Sequence, residues 1–280
     1  MTAAPRILMC PPDHYGIEYE INPWMNRSLG AVRQLAFQQW TALRDTLLGL
    51  GVQIETLTPR PGLPDLVFTA NAGLVFRDLF LSSSFRHEVR AKESPIFDEW
   101  FASNDYHVEH LPDGMFHEGA GDALFCGDIL FAGYRQRSDA NAHQWVGQRL
   151  GVRVLPLELV NPRYYHLDTC FCPISRTEAI YFPDAFDSYG RRVLASHVPT
   201  LIPVEEAEAR RFGCNAVVVG KSIVHNSRCP KLGESLAARG YKAIEVELDE
   251  FLKAGGSAKC LTLRLDGEDA AAWESPIIAG

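Results

Sequence analysis

The stretch from Trp40 to Phe76 reads WTALRDTLLGLGVQIETLTPRPGLPDLVFTANAGLVF and holds one full copy of the pattern that decides the fold. Trp40, Leu43 and Leu47 recur at helical spacing, and Gly51 breaks the helix. Val52-Gln-Ile-Glu-Thr-Leu57 then alternates apolar and polar residues as a strand does. A second piece follows. Asp65-Leu-Val-Phe-Thr-Ala-Asn71 makes a turn and leads into the apolar run Ala72 to Phe76.

The helix–break–strand order returns along the chain. Phe97 and Trp100 precede Tyr106-His-Val-Glu-His-Leu111, and Trp145 and Leu150 flank the entry to Val152-Arg-Val-Leu-Pro-Leu157. Val193 and Leu194 precede Leu201-Ile-Pro-Val204. Leu232 and Leu236 precede Gly240 and Tyr241-Lys-Ala-Ile-Glu-Val246. The turn-and-strand piece also recurs: Asp122 to Phe125 with Ile129 to Phe131, His166 to Ile174 with Ala179 to Phe182, and Ala216 to Val219 with Ser222 to Val224. The last copy, Cys260-Leu-Thr-Leu-Arg-Leu265, completes its unit with Arg6-Ile-Leu-Met9 from the chain start. A spacing of roughly 40 to 55 residues falls in the range of repeat architectures. No such unit buries its own sheet. About five of them closing around an axis would remove the exposed edges, whereas an ordinary mixed α/β sheet would leave them.

Composition narrows the function. The chain has 280 residues with 46% hydrophobic content, enough for a full core, and is read as one domain over residues 1–280. A net charge of -8 argues against a nucleic-acid partner. No apolar run approaches the roughly 20 residues of a membrane span, and the start lacks a signal-peptide pattern, so a cytoplasmic protein off the membrane is expected. The seven scattered cysteines do not form a disulfide framework. Cys170 and Cys172 lack the second ligand pair a zinc site needs, so no metal is expected.

The polar residues that stand out fall at equivalent turns: Asp65 and Asn71, Glu118 and Asp122, His166 and Asp168, and Cys260. In a closed ring these turns would converge. Lys253-Ala-Gly-Gly-Ser-Ala-Lys259 lets backbone approach a ligand before Cys260, and Lys259 could lower the thiol pKa. Cys260 could equally be a buried core cysteine. Strand alternation would put His166 and Asp168 on one face, where the carboxylate could orient the imidazole. Glu118, flanked by Gly119, matches a guanidinium fork. Arg90 and Arg137 are candidate clamps for a carboxylate, or solvated surface arginines.

Taken in order, Asp65 to Asn71, Glu118-Gly-Ala-Gly-Asp122, His166-Leu-Asp168 and the glycine-rich approach to Cys260 resemble the guanidino-group-modifying enzymes of the pentein superfamily. Several further stretches resemble the N-terminal catalytic domain of the cyanobacterial arginine dihydrolases. They are Leu8-Met-Cys-Pro-Pro-Asp-His-Tyr15, Ile21-Asn-Pro-Trp-Met25, Phe68-Thr-Ala-Asn-Ala-Gly73, Tyr165 to Pro173 and Phe251-Leu-Lys-Ala-Gly-Gly256. The resemblance implies a pentein α/β-propeller of five ββαβ units about a pseudo-fivefold axis. It implies no cofactor, L-arginine or a derivative as the small-molecule partner, and a homo-oligomer. The ornithine-processing second domain that some of those enzymes carry is not expected here.

The resemblance further implies Cys260 as nucleophile, with His166 and Glu118 as the other catalytic groups. Asn71, Asn22, Asp65, Arg90, Arg137, Gly119, Asp168 and Ala254 would bind substrate. Deiminases usually carry aspartate at the position of Asn71. An amide both donates and accepts, so it also suits the neutral ureido group of citrulline. The expected activity is therefore an arginine dihydrolase giving ornithine, ammonia and carbon dioxide. The alternatives are a deiminase stopping at citrulline, a dimethylargininase, an amidinotransferase and a non-catalytic binding module.

Overall fold

The helix–break–strand copies fold as expected, each contributing to a three-stranded sheet in a computed structural model that describes residues 4–268. Strand β1 (Arg6–Met9) lies parallel to β2 (Gln53–Thr56). The second sheet joins β3 (Gly73–Phe76), β4 (Leu79–Ser82) and β5 (His107–Glu109). The third joins β6 (Ala123–Cys126), β7 (Ile129–Tyr134) and β8 (Arg153–Glu158). The fourth joins β9 (Phe171–Pro173), β10 (Glu178–Tyr181) and β11 (Thr200–Pro203). The fifth joins β12 (Val217–Val219), β13 (Ser222–Asn226) and β14 (Lys242–Val246). In these four sheets the first strand pairs antiparallel with the second, and the second parallel with the third.

The pattern closes on itself. β15 (Leu263–Arg264) pairs antiparallel with β1, Ile7 facing Arg264 and Leu8 facing Leu263. The two ends of the described chain therefore build one sheet with the same inner-to-outer order as the others. A parallel pairing needs a crossover. The helices Arg33–Gly49, Ser94–Ser103, Ala140–Leu150, Ser188–His197 and Pro230–Ala237 supply one per sheet. Each buries an apolar stripe: in the first, Ala36, Trp40, Leu43 and Leu47 recur every three or four residues against the core. Their ends are set locally. Asp187 accepts hydrogen bonds from the Tyr189 and Gly190 amides at the start of one helix. Gly151, at φ 68°, ends another in the left-handed conformation. Three apolar clusters fill the space between sheets and helices. Among the described residues no helix is long and apolar enough to cross a membrane.

One expectation about the inner turns fails. Pro64–Val67, Thr69–Asn71, Gly119–Gly121 and Leu167–Thr169 are single turns of 3₁₀ helix, and only the residues after them are strand. His166 and Asp168 thus do not alternate along a strand. The crowded centre leaves no neighbouring strand for these buried amides, so they bond three residues back: Thr169 N–H to His166 C=O at 3.2 Å and Cys170 N–H to Leu167 C=O at 3.0 Å. For the same reason Cys260 precedes its strand rather than beginning it.

Hydrogen bonds also run from each turn to the next. Ala70 N–H donates to Cys260 C=O at 3.2 Å. Asn71 Nδ2 reaches Glu118 C=O at 3.4 Å, and Leu167 N–H donates to Asp122 Oδ1 at 3.1 Å. Asn215 Nδ2 donates to Asp168 C=O at 3.0 Å, and Cys260 N–H donates to Asn215 Oδ1 at 3.1 Å. The five turns form a closed cycle.

Candidate active site

That cycle holds most of the polar residues singled out from the sequence, all of them buried: Asp65, Asn71, Arg90, Glu118, Arg137, His166, Asp168 and Cys260. Glu118 is the hub. Its Oε2 accepts from His166 Nε2 at 2.7 Å and from Arg137 Nη1 at 2.9 Å, while Oε1 accepts the Arg86 amide at 3.2 Å. Burial opposes its charge, but Arg137 and the His166 hydrogen bond outweigh that and hold the carboxyl well below the usual range. Burial lowers His166 to about 4, against the pull of Glu118. The imidazole is therefore neutral near pH 7.

Asn71 fixes its tautomer. Arg90 Nη1 donates to Asn71 Oδ1 at 2.9 Å, so Asn71 Nδ2 faces His166 Nδ1 at 3.4 Å. Nδ1 must then accept, which leaves the ring proton on Nε2, toward Glu118. Gly121 makes room: a Cβ there would lie 2.1 Å from Asn71 Nδ2. Asp122 supports both halves. Its Oδ1 takes the amide after His166, and its Oδ2 accepts from Ser138 Oγ at 2.6 Å. The same Ser138 oxygen receives the Glu118 amide at 2.9 Å.

Two sequence-based roles need correcting. Asp168 does not orient His166, because the 3₁₀ turn aims it elsewhere: its Oδ2 accepts from Cys260 Sγ at 3.3 Å. Burial raises Asp168 to about 7, although Lys259, Cys260 and Asn215 pull the other way. The carboxylate that binds the imidazole is Glu118. Lys259 does not lower the thiol pKa either. It is paired with Glu268 at 2.7 Å, and its charge acts on Asp168. Burial and the neighbouring Asp168 push the Cys260 thiol well above its ordinary value.

Neither arginine is an unengaged clamp or a surface residue. Arg90 grips Glu93 through Nε at 2.9 Å and Nη2 at 2.8 Å, and also reaches Asn71 and the Asp65 carbonyl. Arg137 lies on Glu118, reaches Ile21 C=O at 3.2 Å and stacks 4.6 Å over Tyr165. Asp65 sits 3.9 Å from Arg90. Tyr19 lies beside it, but among the described residues neither the Tyr19 hydroxyl nor Asp65 Oδ1 makes a well-formed hydrogen bond. Asn22, half-buried, ties the loop before the first helix to the last turn, donating to Ala254 C=O at 3.0 Å. Gly119, at φ 61°, packs against the Gly73 backbone, where a Cβ would come within 2.5 Å. Gly255 and Gly256 press on Tyr165 and Phe68 in the same way. Among the described residues no group of three or more histidines, cysteines or acids is placed to hold a metal.

The residue missed was Asn215. It occupies the fourth turn, Gly213-Cys-Asn-Ala216, at the place that carries a polar residue in the other four units. That gap in the pattern was the available signal.

Fold and site together define a pentein of the guanidino-group-modifying type, with a cysteine at its centre. Within that class, the family model for eukaryotic N,N dimethylarginine dimethylhydrolase matches residues 17–266, and the chain belongs to this family. It is 46% identical over 270 residues to the bifunctional arginine dihydrolase/ornithine cyclodeaminase AgrE of Nostoc sp., covering 95% of this chain and 38% of that protein. It thus spans well under half of that relative's length. It is 38% identical to the N(G),N(G)-dimethylarginine dimethylaminohydrolase of Mycobacterium tuberculosis, covering 93% of this chain and 85% of that one. The crystal structure of the N-terminal domain of ArgZ, a cyanobacterial arginine dihydrolase captured with its substrate as a cysteine-to-serine variant, superposes with a TM-score of 0.91. That match has 45% identity and covers 94% of this chain and 98% of the domain.

Proposed function

We propose that this chain hydrolyses L-arginine at the guanidinium carbon through a covalent thiouronium on Cys260, and carries the reaction through citrulline to ornithine, ammonia and carbon dioxide. Glu118 holds the guanidinium nitrogens, and Asn71, whose Oδ1 is taken by Arg90, offers its Nδ2 donor to the ureido oxygen once citrulline has formed. The substrate guanidinium takes the place of Arg137 on Glu118, and Arg137, steadied by Ile21 C=O and the Tyr165 ring, meets the α-carboxylate with Arg90. Asp65, a buried carboxylate with an unsatisfied oxygen, suits the α-ammonium, and Asn22 with Ala254 shapes that end of the site. Cys260 Sγ attacks the guanidinium carbon. The proton that Cys260 Sγ loses passes through the neutral His166 imidazole to the departing nitrogen, which leaves as ammonia, and His166 then takes a proton from the water that attacks the thiouronium. A second round on the ureido carbon completes the sequence.

The observation that carries the dihydrolase reading is the Asn71 amide. Its Nδ2 is turned into the site beside His166 by Arg90, so a donor and not a second anion stands next to the reacting group. The identity to arginine dihydrolases supports the same reading. The family model and the mycobacterial relative support a second one, hydrolysis of methylated arginine.

Product stoichiometry tests the proposal. Incubated with arginine, the protein should release about two ammonia per arginine consumed and leave ornithine, because each covalent cycle expels one. Accumulated citrulline with a ratio near one would make it a deiminase. Turnover confined to dimethylarginine would favour the second reading.

A further inference from the structure

Asn215 lies in the turn before β12, fully buried, and clips both ends of the Cys260 residue. Its Oδ1 accepts the Cys260 amide at 3.1 Å, and its Nδ2 donates to Cys260 Sγ at 3.1 Å and to Asp168 C=O at 3.0 Å. The amide orientation is not arbitrary. A backbone N–H can only donate, so the atom facing it must be the oxygen, and the NH₂ must face the sulfur.

The sulfur therefore has two side-chain neighbours with opposite preferences, and a backbone hydrogen bond at Ser257 that also favours the thiolate. Asp168 Oδ2, 3.3 Å away, can only accept while ionised, so it favours the thiol. Asn215 Nδ2 can only donate, so it favours the thiolate. A fully buried sulfur has little water to stabilise its anion, and no other side-chain donor among the described residues bonds it. We propose that Asn215 is a further functional residue of the proposed reaction: its amide stabilises the Cys260 thiolate and fixes the direction of attack. The inference rests on Cys260 being the nucleophile. On this reading all five turns of the ring contribute to the chemistry, the fourth through Asn215.

Two variants separate the role from simple packing. Asn215→Asp keeps an oxygen for the Cys260 amide and replaces the donor at sulfur; Asn215→Ala removes both. The readouts are kcat and KM for arginine, and the pH profile of inactivation by iodoacetamide with and without arginine. Hydrogen bonds to charged groups of this kind translate into roughly tenfold to hundredfold effects. Both variants should lose about that factor in kcat with KM changed less than about threefold, and their alkylation midpoint should move up by about one pH unit or more. An Asn215→Asp protein with wild-type kcat and an unshifted alkylation profile overturns the proposal. So does a variant that loses activity only in step with its melting temperature. Failure of arginine to protect the wild-type thiol is a different result, and it removes the functional reading beneath.

Discussion

Asp168 and Cys260 share one short contact, and their ionisation is linked through it. The folded carboxyl of Asp168 stands near 7, raised from 3.8 by burial. Below that pH it takes a proton and no longer presents an anion beside the sulfur and the incoming cationic guanidinium. His166 at about 4 stays neutral across the same interval, so it adds no limb of its own. Activity should therefore fall as pH drops through about 7, approaching a tenfold loss in kcat/KM per pH unit once Asp168 is the limiting group. A kcat/KM profile that is flat from pH 8 down to 5.5 would show that Asp168 does not control the step. The same neighbourhood explains what residue-level reading could and could not extract. Cys260, Glu118 and His166 stood out by type and by position in the repeat. Which carboxylate meets the imidazole did not, because that depends on a 3₁₀ turn rather than on alternation along a strand.

At the scale of elements, the helices and outer strands were legible because each carries a full period: Trp40, Leu43 and Leu47 on the helix, then Gln53 to Thr56 on the strand. The pairing of Arg6–Met9 with the last strand could also be read, since an incomplete fifth unit needed a partner. The inner turns were not legible. Their conformations are set by contacts from other units, such as Asp122 holding the Leu167 amide and Gly121 yielding space to Asn71. Asn215 illustrates the limit from the other side. Nothing in Gly213-Cys-Asn-Ala216 marks it locally, and only the empty place in the fivefold pattern pointed to it. The engagement of the arginines was not legible for the same reason: Glu93, which grips Arg90, carried no sequence signal of its own.

For the molecule as a whole, closure of the ring buries polar groups that titrate. His117 and His143 lie edge to face, with ring centroids 5.3 Å apart. Among the described residues neither His117 nitrogen has a hydrogen-bond partner, whereas His143 bonds Gly133 C=O at 2.7 Å. Burial lowers them to about 3 and about 4 from an ordinary 6.5. The unfolded chain takes up these protons below 6.5 and the folded chain does not. Their contribution is thus fully present above 6.5 and lost as pH falls toward 4, by about 1.4 kcal/mol per pH unit for each histidine. Urea unfolding at pH 7.5 and 5.0 should show the loss, to which His166 at about 4 adds a similar part, and His117→Leu should remove about a third or less of the histidine contribution. An unchanged pH dependence in His117→Leu would place the acid sensitivity elsewhere.

On the proposed mechanism Cys260, delivered by the last turn of the ring, bonds covalently to the guanidinium carbon, and His166 is needed to release it. S-methyl-L-thiocitrulline tests this directly, since its methanethiol departs without a proton from His166. In His166→Gly the Cys260 sulfur should displace it and remain trapped, because no imidazole activates water. Peptide mass spectrometry of the quenched protein should find the peptide containing Cys260 heavier by the reagent less methanethiol, and no adduct in Cys260→Ser. An adduct on another cysteine, or a folded His166→Gly protein whose Cys260 stays unmodified while the reagent is consumed, would contradict the account.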